Sequence, residues 1–209
     1  MINRAVYNLS LTRSEFRQLA AIRPWEGRHW EKPPNPQIKA ITSKIRQQLE
    51  SVQKVCSYCG LELGGTSDGE VEHIAPKANK RNPEFTFTLK NLTFACHLCN
   101  SSKKKGTTQT IDKKYKIYSR CTFLIVHPYF DDPITHYEWT DYETELLIQV
   151  RNNSPKGLFS IKLFELDSPK MNLHRAKQII FEKFKSQCPL SDENQQLLNN
   201  TLIFKTIDH

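Results

Sequence analysis

Two Cys-x-x-Cys pairs, Cys56-Ser57-Tyr58-Cys59 and Cys96-His97-Leu98-Cys99, constrain this chain more than any other feature. Thiolates two residues apart on a tight turn can both reach one ion, and two such turns supply the four sulfurs of a tetrahedral zinc site. A Zn²⁺ saturated by Cys56, Cys59, Cys96 and Cys99 keeps no open position, so it stabilises rather than catalyses. The 36 residues between the pairs exceed what a minimal zinc ribbon needs, so this insert is expected to carry structure of its own. Cys121 and Cys188 are left over and read as buried free thiols.

Disulfide pairing is the competing use of cysteine, and the rest of the sequence argues against it. The first sixteen residues contain Arg4, Arg13 and Glu15 and no apolar segment of the secretory kind. No run approaches the length of a membrane span. A cytoplasmic protein without membrane contact is expected, with its cysteines reduced or metal-bound. The net charge is +8. Residues 77–120 hold eleven Lys/Arg against only Glu84 and Asp112, a net of +9 concentrated around the cysteine pairs. A charge run is usually a solvated face, but this position favours a polyanionic partner, nucleic acid.

Local patterns predict the remaining elements. Residues 1–54 read as helices separated by a loop. Thr12 and Glu15 have capping-box spacing ahead of Phe16, Leu19 and Ile22. The prolines at 24, 33, 34 and 36 make residues 24–36 loop. Asn35 can cap a helix with Pro36 at its first position, and Ile38, Ile41, Ile45, Leu49 and Val52 then share one face. Further on, residues 121–126 have strand character. A hairpin is predicted from 144–150 and 158–164 around the turn 152–157. Ser168 and Pro169 open a helix with Ala176, Ile179, Ile180 and Phe184 inward, and a last helical segment begins near Ser191.

Within the insert and at its far edge stand Glu70-Val71-Glu72-His73-Ile74-Ala75-Pro76-Lys77, then Asn91-Leu92, then Cys99-Asn100-Ser101-Ser102-Lys103. This order over residues 55–106 resembles the HNH, or ββα-metal, nucleases, in the branch braced by two Cys-x-x-Cys knuckles. In that family an acidic residue and a histidine end the first strand. An asparagine opens the second strand, and a His or Asn after the last cysteine begins the helix. The resemblance implies an α+β protein with a small ββα-metal core braced by the four-cysteine zinc site, N-terminal helices and a C-terminal hairpin-plus-helix extension. It implies a strand ending near His73, a second over residues 92–95, and a helix starting at Asn100.

The resemblance also implies roles. Phosphodiester hydrolysis needs an activated water, charge neutralisation at the phosphate and help for the departing 3′ oxygen. His73 would be the general base, since imidazole titrates near neutral pH. Asn91 would orient His73 through a hydrogen bond to its ring. Glu72 and Asn100 would offer oxygen ligands to one hard cation, Mg²⁺ or Mn²⁺. Lys103 would contact the phosphate, with Lys77, Lys104, Lys105, Lys113 and Lys114 binding the nucleic-acid backbone. The chain departs from the family at Asn100, where the motif's final histidine would stand. It departs again at Glu72, where many relatives carry Asp. Taken singly these residues have plainer uses: His73 a satisfied structural histidine, Asn91 a turn residue, Asn100 a helix N-cap.

The flanks add a looser resemblance. The segment SVQKVCSYCG, the EHIAPK segment and HPYFDDP followed by Glu138-Trp139 are similar to HNH nucleases of bacterial anti-phage systems of the Septu and retron-associated kind. There the nuclease works with an ATPase encoded beside it. That implies an effector nuclease acting on nucleic acid, DNA first, in complex with an ATPase. The expected division is a helical extension at 1–54, the nuclease core at 55–118 and an α+β, partner-binding extension at 119–209. His127, Asp131 and Asp132 receive no role, and Asp-Asp-Pro reads as a turn. The rivals are a non-catalytic zinc module that binds nucleic acid or protein, which leaves Glu72, His73 and Asn100 without a job, and a stand-alone restriction-type nuclease. Metal-dependent plasmid cleavage separates the first rival, and a neighbouring ATPase the second.

Overall fold

The computed structural model describes residues 2–64, 69–78, 80–140, 146–187, 191–193 and 196, with the side chains of 184–187 left aside. The order of helices and strands is α1 (Arg13–Ala21), α2 (Arg28–Glu31), α3 (Pro36–Val52), β1 (Gly69–His73), β2 (Leu92–Cys96), α4 (His97–Asn100), β3 (Tyr137–Trp139), β4 (Ile148–Val150), α5 (Pro155–Phe164) and α6 (Pro169–Gln187). β1 and β2 pair antiparallel with Glu72 opposite Thr93 and His73 opposite Leu92. β3 and β4 form a second two-stranded sheet.

The N-terminal helices form as their caps dictate. Thr12 accepts from the Glu15 amide while the Glu15 carboxylate accepts from the Thr12 amide, closing the capping box of α1. Asn35 caps α3 at the Ile38 amide, 2.9 Å away, with Pro36 in the first turn. Ile38, Ile41, Ile45 and Leu49 are buried and pack with Leu19 of α1 against Leu92 and Phe94 of β2. The stripe is shorter than its pattern predicts: Val52 and Phe16 are exposed. The proline-rich loop contains the short helix α2. Residues 2–12 are not helical. They run beside the later chain, with the Ala5 amide donating to the Pro128 carbonyl and Arg4 Nε to the Tyr129 carbonyl.

The C-terminal half departs most from expectation. Residues 158–164 are helix, not strand. Ser154 caps α5 at the Gly157 amide and Pro155 occupies its first turn, so the supposed hairpin turn is a helix start. The hairpin that exists joins β3 to β4, and the part of the predicted one at 144–145 lies outside the described residues. Residues 121–126 contribute one isolated bridge, Phe123 to Ile111, rather than a strand. On α6, Met171 and Arg175 face inward, while Ile180, expected inward, is 67% exposed. The Phe184 side chain, Cys188 and most of the segment after Ser191 lie outside the described residues. Cys121 is buried and unpaired, as expected of it. Asp132 caps the turn over Pro133–Thr135, so Asp-Asp-Pro is indeed a turn. Among the described residues no helix is long and apolar enough to cross a membrane.

Candidate active site

The cysteine pairs converge. Cys56, Cys59, Cys96 and Cys99 are all buried, and their sulfurs lie within 4.8 Å of one another. Cys59 Sγ and Cys96 Sγ are 3.9 Å apart. A tetrahedron with Zn–S bonds of about 2.3 Å has edges of about 3.8 Å, so four thiolates at these positions fit a zinc ion. β2 delivers Cys96 directly, and α4 turns Cys99 back toward the first knuckle. The Ser57 amide donates to the Phe94 carbonyl, tying that knuckle to β2. The cluster belongs to an apolar core with Tyr58, Ile74, Ala95 and Phe164, where Tyr58 stacks on Phe164 at 4.2 Å.

β1 ends at His73 beside this core, at a cavity of about 730 Å³ that Glu72, His73 and Asn100 line together. His73 is only 5% exposed. Its Nε2 lies 3.1 Å from the Thr86 carbonyl, a pure acceptor, so Nε2 carries the proton and Nδ1 the lone pair. Among the described residues no hydrogen bond engages Nδ1. The Trp30 indole meets the ring edge-on at 4.9 Å. Burial, reinforced by Lys77 and Lys105, holds the imidazole well below its ordinary pKa, so it is neutral at pH 7.

Asn91 does not hold the His73 ring, contrary to the expectation. It is fully buried and clamps backbone instead. Its Oδ1 accepts from the Ala75 amide at 2.6 Å, and its Nδ2 donates to the carbonyls of Ala75 and Phe85. Pinning Phe85 fixes the neighbouring Thr86 carbonyl, so Asn91 reaches His73 at one remove. A string of hydrogen bonds supports the clamp. The Tyr129 amide donates to His127 Nδ1, which leaves the proton on Nε2 for Tyr118 Oη, and Tyr118 donates to Asn91 Oδ1 at 2.8 Å. His127 and Tyr118 thus acquire positions that short-range sequence patterns do not reveal. Asp131 accepts from the His127 amide and pairs with Lys156.

Burial, then Lys156 and Lys90, pushes the His127 pKa down to about 3 from an ordinary 6.5. The folded state therefore resists a proton that the unfolded chain accepts. Stability is complete above about 6.5 and falls as pH drops toward 3, by about 1.4 kcal/mol per unit within the window. Thermal melts at about pH 7 and about pH 4 should show a smaller acid loss for His127→Gln than for wild type. Equal losses would show that His127 does not carry the effect.

Glu72 is buried against the ammonium of Lys105, which also donates to the His73 carbonyl at 2.8 Å. Burial raises the Glu72 pKa, and Lys105 opposes the rise. Removing Lys105 leaves an uncompensated carboxylate, a loss of about 3–5 kcal/mol. Lys105→Met should therefore melt lower than wild type. Its deficit should shrink as pH falls, because a carboxyl whose folded pKa is raised stabilises the folded state only when protonated. A pH-independent deficit would point to lost packing alone.

Glu70, two residues before Glu72 on β1, went unassigned in the sequence. It accepts from Asn100 Nδ2 at 2.6 Å and meets His97 Nδ1 at 2.7 Å. The contact commits the Asn100 amide nitrogen and leaves Oδ1 as its ligand atom. The carboxylate raises the pKa of the exposed His97. Asn100 closes α4 instead of opening a helix, since Ser101 is already extended and residues 102–107 are turns. The helix-start position is thus overturned, although Asn100 still reaches the cavity.

The lysines divide. Lys103 is exposed. Lys77 lines the cavity but is paired with Glu31. Lys104 donates to the Phe164 carbonyl at 2.6 Å and pairs with Glu165, fastening α5. Lys105 is 1% exposed, so neither Lys104 nor Lys105 presents a free ammonium to a nucleic-acid backbone. Lys114 pairs with Glu84.

Residues 56–106 match the HNH endonuclease family model, so the cysteine cluster and the cavity residues Glu72, His73 and Asn100 belong to an HNH domain. The chain is also 28% identical over 138 residues to the Septu protein PtuB of Bacillus mycoides (strain KBAB4), covering 58% of this chain and 46% of that protein. The match thus spans less than half the length of that curated relative.

Proposed function

We propose that the chain is a metal-dependent HNH endonuclease that hydrolyses phosphodiester bonds of nucleic acid, DNA in the first instance. The observation that carries this reading is the meeting of Glu72, His73 and Asn100 at one cavity inside the matched domain. His73, neutral and with Nδ1 open, takes the proton of the attacking water. Thr86 and, behind it, Asn91 keep the ring in the tautomer that leaves Nδ1 basic. The carboxylate of Glu72 and the amide oxygen of Asn100 are hard donors that would hold Mg²⁺ or Mn²⁺. Such an ion, when bound, neutralises charge at the phosphate and the leaving oxygen. Lys105 opposes the rise that burial imposes on the Glu72 pKa and so favours the carboxylate. Cys56, Cys59, Cys96 and Cys99 would hold the structural Zn²⁺. Of the six lysines first considered, exposed Lys103 and Lys113 have no carboxylate partner among the described residues and serve as the nucleic-acid contacts.

The relation to the Septu protein supports a role in bacterial anti-phage defence; the ATPase partner that the flank resemblance implies and a cytoplasmic location belong to the same proposal. On this reading residues 55–118 are the catalytic core, and 119–209 serve partner binding. One observation favours the non-catalytic zinc module: Glu72 already spends its charge on Lys105. Nicking of supercoiled plasmid decides between them, with Mg²⁺, Mn²⁺ or chelator, and with any ATPase encoded in a neighbouring reading frame added or omitted. Cutting that depends on the divalent ion is expected. No cutting under any of these conditions would remove the nuclease reading.

A further inference from the structure

We propose that Arg46 of α3 completes the cavity as a phosphate-contacting residue, holding the scissile phosphodiester opposite His73 and Asn100; this rests on the nuclease reading above. Arg46 lies ten residues outside the matched HNH segment, yet it lines the same cavity as Glu72, His73 and Asn100. Three other cations line that cavity, and each is committed. Lys105 is held by Glu72, Lys77 by Glu31 and Arg28 by Glu26. Among the described residues the Arg46 side chain has no carboxylate partner and no hydrogen bond. A guanidinium left without a partner on a cavity it shares with Glu72, His73 and Asn100 fits an anion that arrives from outside. Its planar fork can take two phosphate oxygens at once.

The position is built, not incidental. The residue before it, Ile45, is fully buried, as is Leu49, and both pack α3 onto Leu92 and Phe94 of β2. α2 closes the same wall: a Cβ at Gly27 would stand 2.4 Å from the Lys77 carbonyl, so only glycine lets this backbone come so close. The N-terminal helices therefore supply part of the cavity rather than a separate appendage.

The test compares wild type, Arg46→Ala, Arg46→Lys and Arg13→Ala, the last removing the same charge from outside the cavity. Zinc content, melting temperature and plasmid nicking over a range of substrate concentrations are measured for each, with His73→Ala as the inactive reference. Arg46→Ala should keep its zinc and its melt, and lose about 10–100-fold in kcat, somewhat less than an oxyanion-hole donor because Arg46 is exposed. Arg46→Lys should recover part of the loss, since charge returns without the fork. Arg13→Ala should cut normally. If wild type cuts and Arg46→Ala matches it, or changes only KM, the assignment is overturned while the nuclease reading stands. If wild type cuts nothing, the nuclease reading fails, and with it the scissile position. Phosphate contact is then judged by the salt dependence of binding to a fluorescein-labelled duplex. Arg46→Ala should lower the slope of log K against log salt by about one, and an unchanged slope would overturn the contact as well.

Discussion

His73→Ala is expected to abolish nicking, with a loss of ~10²–10⁴-fold, while the chain keeps its four-cysteine metal. Among the described residues at the cavity the imidazole is the base with a free lone pair: Nε2 is spent on the Thr86 carbonyl, and Glu72 is held by Lys105. Alanine removes the base and also orphans the buried Thr86 carbonyl, so a modest drop in melting temperature, on the order of 1 kcal/mol, should accompany the loss of rate. His73→Gln offers a donor toward Thr86 and no useful base. It should melt closer to wild type and still fail to cut. Metal content, thermal melts and nicking rates on the two variants make the comparison. Wild-type cutting by either one would refute the HNH assignment. Release of zinc with unfolding would instead make His73 structural and favour the non-catalytic module.

What could be read without coordinates was what local spacing encodes. Thr12 with Glu15, and Asn35 with Pro36, fix helix starts through contacts three residues apart, and both caps form. The Cys-x-x-Cys pairs encode their own turns, and their convergence is what four thiolates able to hold one tetrahedral ion require. The acidic-His, Asn, Asn order places β1 and β2 correctly: β2 ends at Cys96 of the cluster, and β1 pairs with it along its length. Long-range partners were not legible. Nothing near Asn91 announces that Tyr118 and His127 will reach it, or that Lys105 will be buried on Glu72 rather than left at the surface. A lysine run looks solvated until the fold shows two of its members facing inward. The segment around Pro155 suggests a hairpin but folds as a helix, because Asn, Ser, Pro and Gly mark a hairpin turn and a helix start equally well. Ser154 settled the choice by capping Gly157.

The same division of labour predicts a contrasting failure at the cysteines. Cys99→Ser is expected to release the metal and unfold much of the domain, not merely to silence it. Cys99 is fully buried in the core that also contains Tyr58, Ile74, Ala95 and Phe164, so the cluster is the centre of that core and not an attachment to it. Binding of zinc to such sites is linked to folding and is worth ~10–16 kcal/mol in small peptides, comparable to the whole stability of a domain. Losing one of four thiolates forfeits much of that. The damage should spread to the cavity, because the Lys105 amide donates to the Cys99 carbonyl and Lys105 in turn holds Glu72 and the His73 carbonyl. Cys99→Ser should therefore lose zinc, solubility, melting temperature and nicking together, and a strong chelator should reproduce this in wild type. Asn100→Ala, one residue away but outside the sulfur cluster, should keep zinc and fold, lose cutting, and regain part of it at higher Mg²⁺ or Mn²⁺. If Cys99→Ser retains its metal and melts with wild type, the four sulfurs do not form the site that holds this fold together.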